Sequence, residues 1–164
     1  MLPPSIIRAA NNSDLAQIIS LVLPIQQVEF NVPVTIEGQP DLLDIETNYH
    51  KTGGGFWVAD SGQLLVGTAG LIHIGQNAGI VRKMFVRKEF RGKETGIAQS
   101  LVNILIQHSR AAGITDLYLG SVDSMKAAHR FYERNGFAQI TKGDMPSHFP
   151  LMPADNIFYH LHLG

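Results

Sequence analysis

Hydrophobic positions change their period along the chain, and each change marks an element. A short strand is predicted at Ile6–Ala9, then Asn12 or Ser13 as a helix N-cap, with Leu15, Ile18, Ile19 and Val22 forming one apolar face. Pro24 lacks an N–H and is expected to break or bend that helix. A second helix is expected near Pro40, which suits a first helical position, with Asp41 favourable in its first turn. The stretch between, 25–38, fits neither period. From Phe56 onward the period is two: residues 56–60, 64–74 and 79–86 read as strands joined by the turn signals Ser61-Gly62 and 76–79, an antiparallel meander.

Helical spacing returns over 95–112, where Ile97, Leu101, Ile104 or Leu105, and His108 recur and Gly113 supplies a stop. A strand follows at 117–122. Ser124 is a candidate cap for the next helix, whose inner face would hold Ala128, Phe131 and Tyr132 and which Asn135-Gly136 would end. Two strands, 137–141 and 157–163, complete the pattern, and residues 53–55 and 143–153 read as loops. The order β, α, α, βββ, α, β, α, ββ predicts an α+β fold, a mixed sheet with helices on both faces.

Composition narrows the partners more than the fold. With 45% hydrophobic and 16% charged residues over 164 positions, the chain can bury one core and is expected to form a single domain, 1–164. Thirteen Lys and Arg against 14 Asp and Glu leave no basic footprint for a phosphate backbone, so nucleic acid is not an expected partner. The absence of cysteine removes disulfides, thiolate metal sites and cysteine nucleophiles together. The start MLPPSIIRAA has no basic n-region and apolar h-region, and no apolar run reaches the roughly 18 residues a membrane span needs. A cytoplasmic protein with no membrane partner is expected.

Chemistry concentrates in MFVRKEFRGKETGIAQSLVNIL, residues 84–105, where a strand ends, a basic loop with two glycines follows and an amphipathic helix opens. Free N–H groups and the positive end of the helix dipole would face the loop and could hold a phosphate or pyrophosphate. Gly92 and Gly96 let the backbone approach closely, while Arg91 and Lys93 add charge. An ordinary solvated turn before a helix has the same local look. Other phosphate cradles are missing: there is no GxxxxGK followed by Ser or Thr and no GxGxxG after a strand.

These residues resemble the GNAT superfamily, whose signature is a strand, then Arg/Gln-x-x-Gly-x-Gly/Ala, then a helix that holds the pyrophosphate of coenzyme A. Gly96-Ile97-Ala98 matches the right half, Lys93 stands where the family usually has Arg or Gln, and RGKETGIA is similar to the common RGKGIG loop with one residue more. Downstream, AAHRFYERNGF at 127–137 resembles the family's A-x-x-(aromatic or Leu)-Tyr-Glu-x-x-Gly-Phe. Met125 stands where relatives often carry Asn, seven residues before the tyrosine. The resemblance extends over the whole chain.

The resemblance implies an acetyl-CoA-dependent N-acetyltransferase with a GNAT-like, mostly antiparallel sheet. Acetyl-CoA would pair with the edge of Met84, Phe85 and Val86 and place its pyrophosphate against Arg91, Gly92, Lys93, Thr95, Gly96, Ile97 and Ala98. Direct attack by a neutral amine would form an oxyanion held by the amide near Phe85. Tyr132 matches the tyrosine that protonates the departing thiolate. Some relatives place a Glu or His base six or four residues before the position of Val86, but Ile80 and Arg82 stand there. Glu29 and His73 are the candidate bases, each with a structural reading beside it, and Asp123 is a weaker third. The acceptor expected is a primary amine of a small molecule, with a peptide or protein amine as second choice. An acyl-CoA-binding sensor or interaction module without turnover is the rival reading, motivated by the missing base.

Three further features stay open at this point. His160 and His162 alternate on a strand and could share a face as metal ligands, yet no third ligand accompanies them, so no metal is expected. Glu29, Glu37, Asp41, Asp44 and Glu46 could favour a cationic acceptor or form a solvated face. The segment SHFPLMPADN, 147–156, could line the acceptor pocket or a dimer contact, and an exposed terminal strand could pair two copies into a homodimer.

Overall fold

A computed structural model describes residues 5–164; the first four residues, part of the stretch read for a leader, lie outside the described residues. Seven strands form one sheet in the order β1-β2-β3-β4-β5-β7-β6: β1 (Ile6–Ala9), β2 (Gly55–Asp60), β3 (Leu65–Gly75), β4 (Ala78–Val86), β5 (Asp116–Ser121), β6 (Ala138–Ile140) and β7 (Ile157–His162). Every pairing is antiparallel except β4 with β5. The mixed, mostly antiparallel sheet is thus the one expected. Helices α1 (Leu15–Pro24), α2 (Ile45–Asn48), α3 (Ile97–Ala111) and α4 (Lys126–Arg134) connect its strands.

Both faces of the sheet are buried, which the alternation of β2 displays directly. Trp57 and Ala59 face a core completed by Leu101 and Leu105 of α3 and Tyr132 of α4. Phe56 and Val58 face a second core completed by Ile18, Leu21 and Val22 of α1 and by Ile45 and Tyr49. A period of two with both faces apolar is what a strand between two helical layers requires. Leu101 is fully buried, and its truncation to Ala is expected to cost about 2–5 kcal/mol.

Local details depart from the sequence expectation where side-chain chemistry has several solutions. Asn11, not Asn12 or Ser13, caps the entry to α1: its side chain accepts from Ser13 N–H while Asp14 reaches back to Asn11 N–H. Pro24 does not end its helix; the chain widens into a π-turn at Ile25–Glu29 closed by Phe30 N–H on Ile25 C=O. A wider turn tolerates the donor that Pro24 lacks. Pro40–Leu43 forms a 3₁₀ turn, and the helix proper starts at Ile45 with Asp44 as its cap. Met125 occupies the cap position of α4 without a side-chain cap, so Ser124 does not serve.

The terminal strand β7 is interior, paired on both sides with β5 and β6. It has no free edge to offer a second copy, and the edges of the sheet are β1 and β6.

Candidate functional site

The site arises where two strands part. Parallel pairing of β4 with β5 spans only Ala78–Asp116, Gly79–Leu117 and Ile80–Tyr118. Beyond Ile80 the strands diverge, and β4 bulges: Thr68 pairs with Phe85 but Gly70 with Arg82, so one extra residue of β4 is accommodated. Lys83, with φ 54°, takes up that extra residue, and Thr68 Oγ1 donates to its carbonyl at 2.6 Å. A cavity of about 860 Å³ fills the gap. It runs from the 91–100 loop past β4 and the end of β5 to the 145–155 segment and the π-turn.

At one end of this cavity lies the N-terminus of α3. Its cap is Gly96 in the left-handed conformation, φ 62°, and no side chain caps the first turn. Uncapped N–H groups and the dipole therefore point at the cavity wall formed by Gly92, Lys93, Gly96 and Ala98. Gly92, φ 112°, gives the loop its turn. Thr95 and Ile97, expected to face the cofactor, do not line the cavity. The Thr95 hydroxyl ties the loop internally, donating to Phe90 C=O at 2.6 Å and lying 3.1 Å from Gly92 C=O, and Ile97 is a core residue. Met84, Phe85 and Val86 do line it, along the β4 edge.

Arg91 is engaged within the chain. Its Nε donates to Val86 C=O at 2.8 Å and both Nη atoms grip Glu29, with Nη2 at 2.7 Å from Oε1. Phe30 lies beneath the guanidinium at 5.9 Å. The pair ties the loop before α3 to the π-turn. It also corrects the reading of Glu29 as a base: hydrogen bonds from Arg91 hold its carboxyl below the ordinary range and occupy both oxygens.

His73 is corrected too. It sits opposite Gly79, where the sheet is still closed, against Gly53, and its Nδ1 accepts from Gly75 N–H at 3.1 Å. It does not line the cavity. Asp123 is exposed at the end of the β5 connection.

Tyr132 does line the cavity. Its ring packs against Phe137 and Tyr159 at 5.7 and 5.9 Å, and no hydrogen bond from the described residues engages its hydroxyl. Burial, with help from the charge of Asp155, raises its pKa well above the phenol's usual value, so it stays protonated at neutral pH.

Several charged groups at this gap escaped the sequence reading. Asp155 lines the cavity from the segment before β7. Lys83 is buried in an ion pair with Asp41 at 3.3 Å, and Tyr49 donates its hydroxyl to the same carboxylate. Burial lowers the pKa of Lys83 while Asp41 opposes the shift. Of the acidic residues of the 29–46 segment, Asp44 caps α2 and Glu46 accepts from Asn12 N–H, so these are structural. The 147–156 segment lines the pocket through Phe149, Leu151 and Met152. His160 and His162 both meet Asp116 Oδ1, at 2.7 and 3.1 Å, away from the cavity.

The sequence pattern of the acetyltransferase (GNAT) domain family matches residues 52–139, more than half of the chain. The chain belongs to the GNAT acetyltransferase family. An acetyltransferase of this family from Staphylococcus aureus Mu50 superposes with a TM-score of 0.93 at 39% identity, over 98% of this chain and 99% of that one. An acetyltransferase from Streptococcus agalactiae 2603 gives 0.92 at 27% identity, over 97% and 98%. Among curated proteins, the mouse "Probable N-acetyltransferase family 8 member 5" is 34% identical over 109 residues, 63% of this chain and 47% of its own length. The chain spans about half the length of the mammalian relatives it matches.

Proposed function

We propose that the protein is an N-acetyltransferase that moves an acetyl group from acetyl-CoA to the primary amine of a small molecule by direct attack in a ternary complex. On this reading the 164 residues act as one domain, in the cytoplasm. The observation that carries it is the uncapped N-terminus of α3 opening into the same cavity as the parted β4 edge and Tyr132.

The residues suit the group they would hold. The first-turn N–H groups of α3, the backbone at Gly92 and Lys93 and the Lys93 ammonium would receive a pyrophosphate, while Gly96 N–H donates to Gly92 C=O at 3.3 Å and shapes the loop. The open edge of β4 would accept a pantetheine arm like an added strand. Acetyl-CoA would supply an activated acyl carbon and a thiolate leaving group. The backbone N–H at Phe85, beside the bulge, is the proposed oxyanion donor. Tyr132 would donate its proton to the sulfur.

Release of free CoA thiol from acetyl-CoA, followed with a thiol reagent across a panel of small primary amines, tests this reading. Amine-dependent release supports it. Tight acetyl-CoA binding with no release for any acceptor, peptides included, would instead favour the sensor or interaction module that the residues at Ile80 and Arg82 first suggested.

A further inference from the structure

The family position for a base on β4 is filled by Ile80 and Arg82, neither of which accepts a proton at neutral pH. A carboxylate faces the gap from the opposite side. Asp155 Oδ2 lies so close over β5 that a Cβ on Gly120 would stand 2.4 Å from it, which places the carboxylate on the strand where β4 and β5 separate. Its backbone is fixed there: Asp155 N–H donates to Met152 C=O at 3.1 Å, and the next residue, Asn156, donates its N–H to Ser121 C=O at 2.9 Å. No hydrogen bond from the described residues reaches the carboxylate. A carboxylate that is half-buried, positioned and unpaired awaits a donor from outside the chain.

We propose that Asp155 is the proton acceptor for the incoming amine, and that the acceptor is an ammonium-bearing molecule with an apolar body. The inference rests on the acetyltransferase reading above. The apolar body follows from the apolar lining of the same cavity, to which Phe30, Val32, Val34, Phe149, Leu151 and Met152 contribute. The cation follows from Asp155, the acidic residue lining the cavity, whose carboxylate has no hydrogen-bond or ion-pair partner among the described residues. Arg82 is itself committed, lying 5.0 Å over Phe149 with Nη2 donating to Pro150 C=O at 3.2 Å.

The proton inventory closes. Asp155 takes one proton from the ammonium; the freed amine nitrogen bonds to the acyl carbon as the C–S bond breaks. Tyr132 gives its proton to the sulfur and recovers the second nitrogen proton, leaving amide, thiol and a protonated Asp155 that returns its proton to solvent. The groups facing Asp155 are Arg82 and Lys83 of β4 and Tyr132 of α4. Burial pushes the carboxyl up to about 6 against the pull of those two cations, a value suited to accepting a proton near neutrality. Because the Asp155 charge helps hold the Tyr132 phenol up, protonating Asp155 makes Tyr132 a better donor when the thiolate leaves.

The test is kcat/KM for benzylamine, phenethylamine and hexylamine as a function of pH in wild type, Asp155→Asn and Asp155→Glu, with acetyl-CoA affinity measured alongside. The expected result is a loss of about 10²-fold or more in Asp155→Asn, disappearance of the wild-type acidic limb near pH 6, partial recovery in Asp155→Glu, and an acetyl-CoA Kd within about threefold of wild type. An Asp155→Asn enzyme within about threefold of wild type at pH 7 would overturn the proposal. So would a wild type that binds acetyl-CoA yet turns over none of these amines while acetylating uncharged or acidic acceptors. Loss of acetyl-CoA binding by the wild type would instead remove the transferase reading itself.

Discussion

Asp155 and Gly120 occupy space that only a glycine can share: a Cβ on residue 120 would lie 2.4 Å from Asp155 Oδ2 and 2.9 Å from its Cγ. Gly120 has an ordinary strand conformation, so its backbone does not demand glycine, and the approaching carboxylate does. Gly120→Ala is therefore expected to displace Asp155 and lower kcat/KM for an amine by about 10–100-fold. Acetyl-CoA affinity should stay within about threefold. Parallel turnover and calorimetric titration check this.

The same carboxylate has a stability signature. Its folded pKa, about 6, lies above the ordinary 3.8, so the fold disfavours the charged form. The folded state is thus most favoured below pH 4 with respect to this group and loses stability as pH rises through 6. Asp155→Asn carries no such penalty and is expected to be more stable than wild type at pH 8, by up to about 3 kcal/mol and hence with a higher melting temperature, with the gap closing at pH 4. Thermal melts at the two pH values decide it.

Glu29 behaves in the opposite sense. Arg91 holds its carboxyl low, so the pair stabilises above the ordinary carboxylate pKa and loses that contribution as pH falls through the lowered value. Both side chains are about one-third exposed, so Glu29→Gln should cost only about 0.2–1 kcal/mol at pH 7 and less at pH 3. Denaturant melts measure this. The acidic limb of the kcat/KM profile should survive the substitution, as Arg91 occupies both Glu29 oxygens.

Tyr132→Phe keeps the ring that packs on Phe137 and Tyr159 and removes only the hydroxyl. The expected outcome is a fall of about 10²-fold in kcat, unchanged melting temperature and unchanged acetyl-CoA affinity. Steady-state kinetics with a thiol reagent provides the number.

The sheet and the entry to α3 were legible because short-range rules write them. Period-two alternation marks β2, β3 and β4, and a glycine-bearing basic loop before an amphipathic run marks the turn into α3. Tyr132 was legible only through a motif, since Phe131 and Tyr132 look alike on a helical wheel and one lines the core more deeply than the other. The acceptor half was not legible. Asp155 in Pro153-Ala154-Asp155-Asn156 has the composition of any turn, and its value comes from lying over Gly120, 35 residues earlier. Glu29 was misread because its partner, Arg91, is 62 residues away. His73 looked available because the alternation of β3 says nothing of where β4 and β5 part.

Calorimetric titration of acetyl-CoA into wild type and Gly96→Glu asks whether the glycine-bearing loop before α3 holds the cosubstrate. A Cβ at residue 96 would meet nothing nearer than Lys93 C=O at 4.0 Å, so the variant should fold, at a cost of about 1–2 kcal/mol for the left-handed backbone. It would also carry a negative charge into the uncapped N-terminus of α3. Saturable binding by the wild type and its loss in a folded Gly96→Glu variant are expected; absence of binding by the wild type, or equal binding by both proteins, would contradict an acetyl-CoA site at this loop.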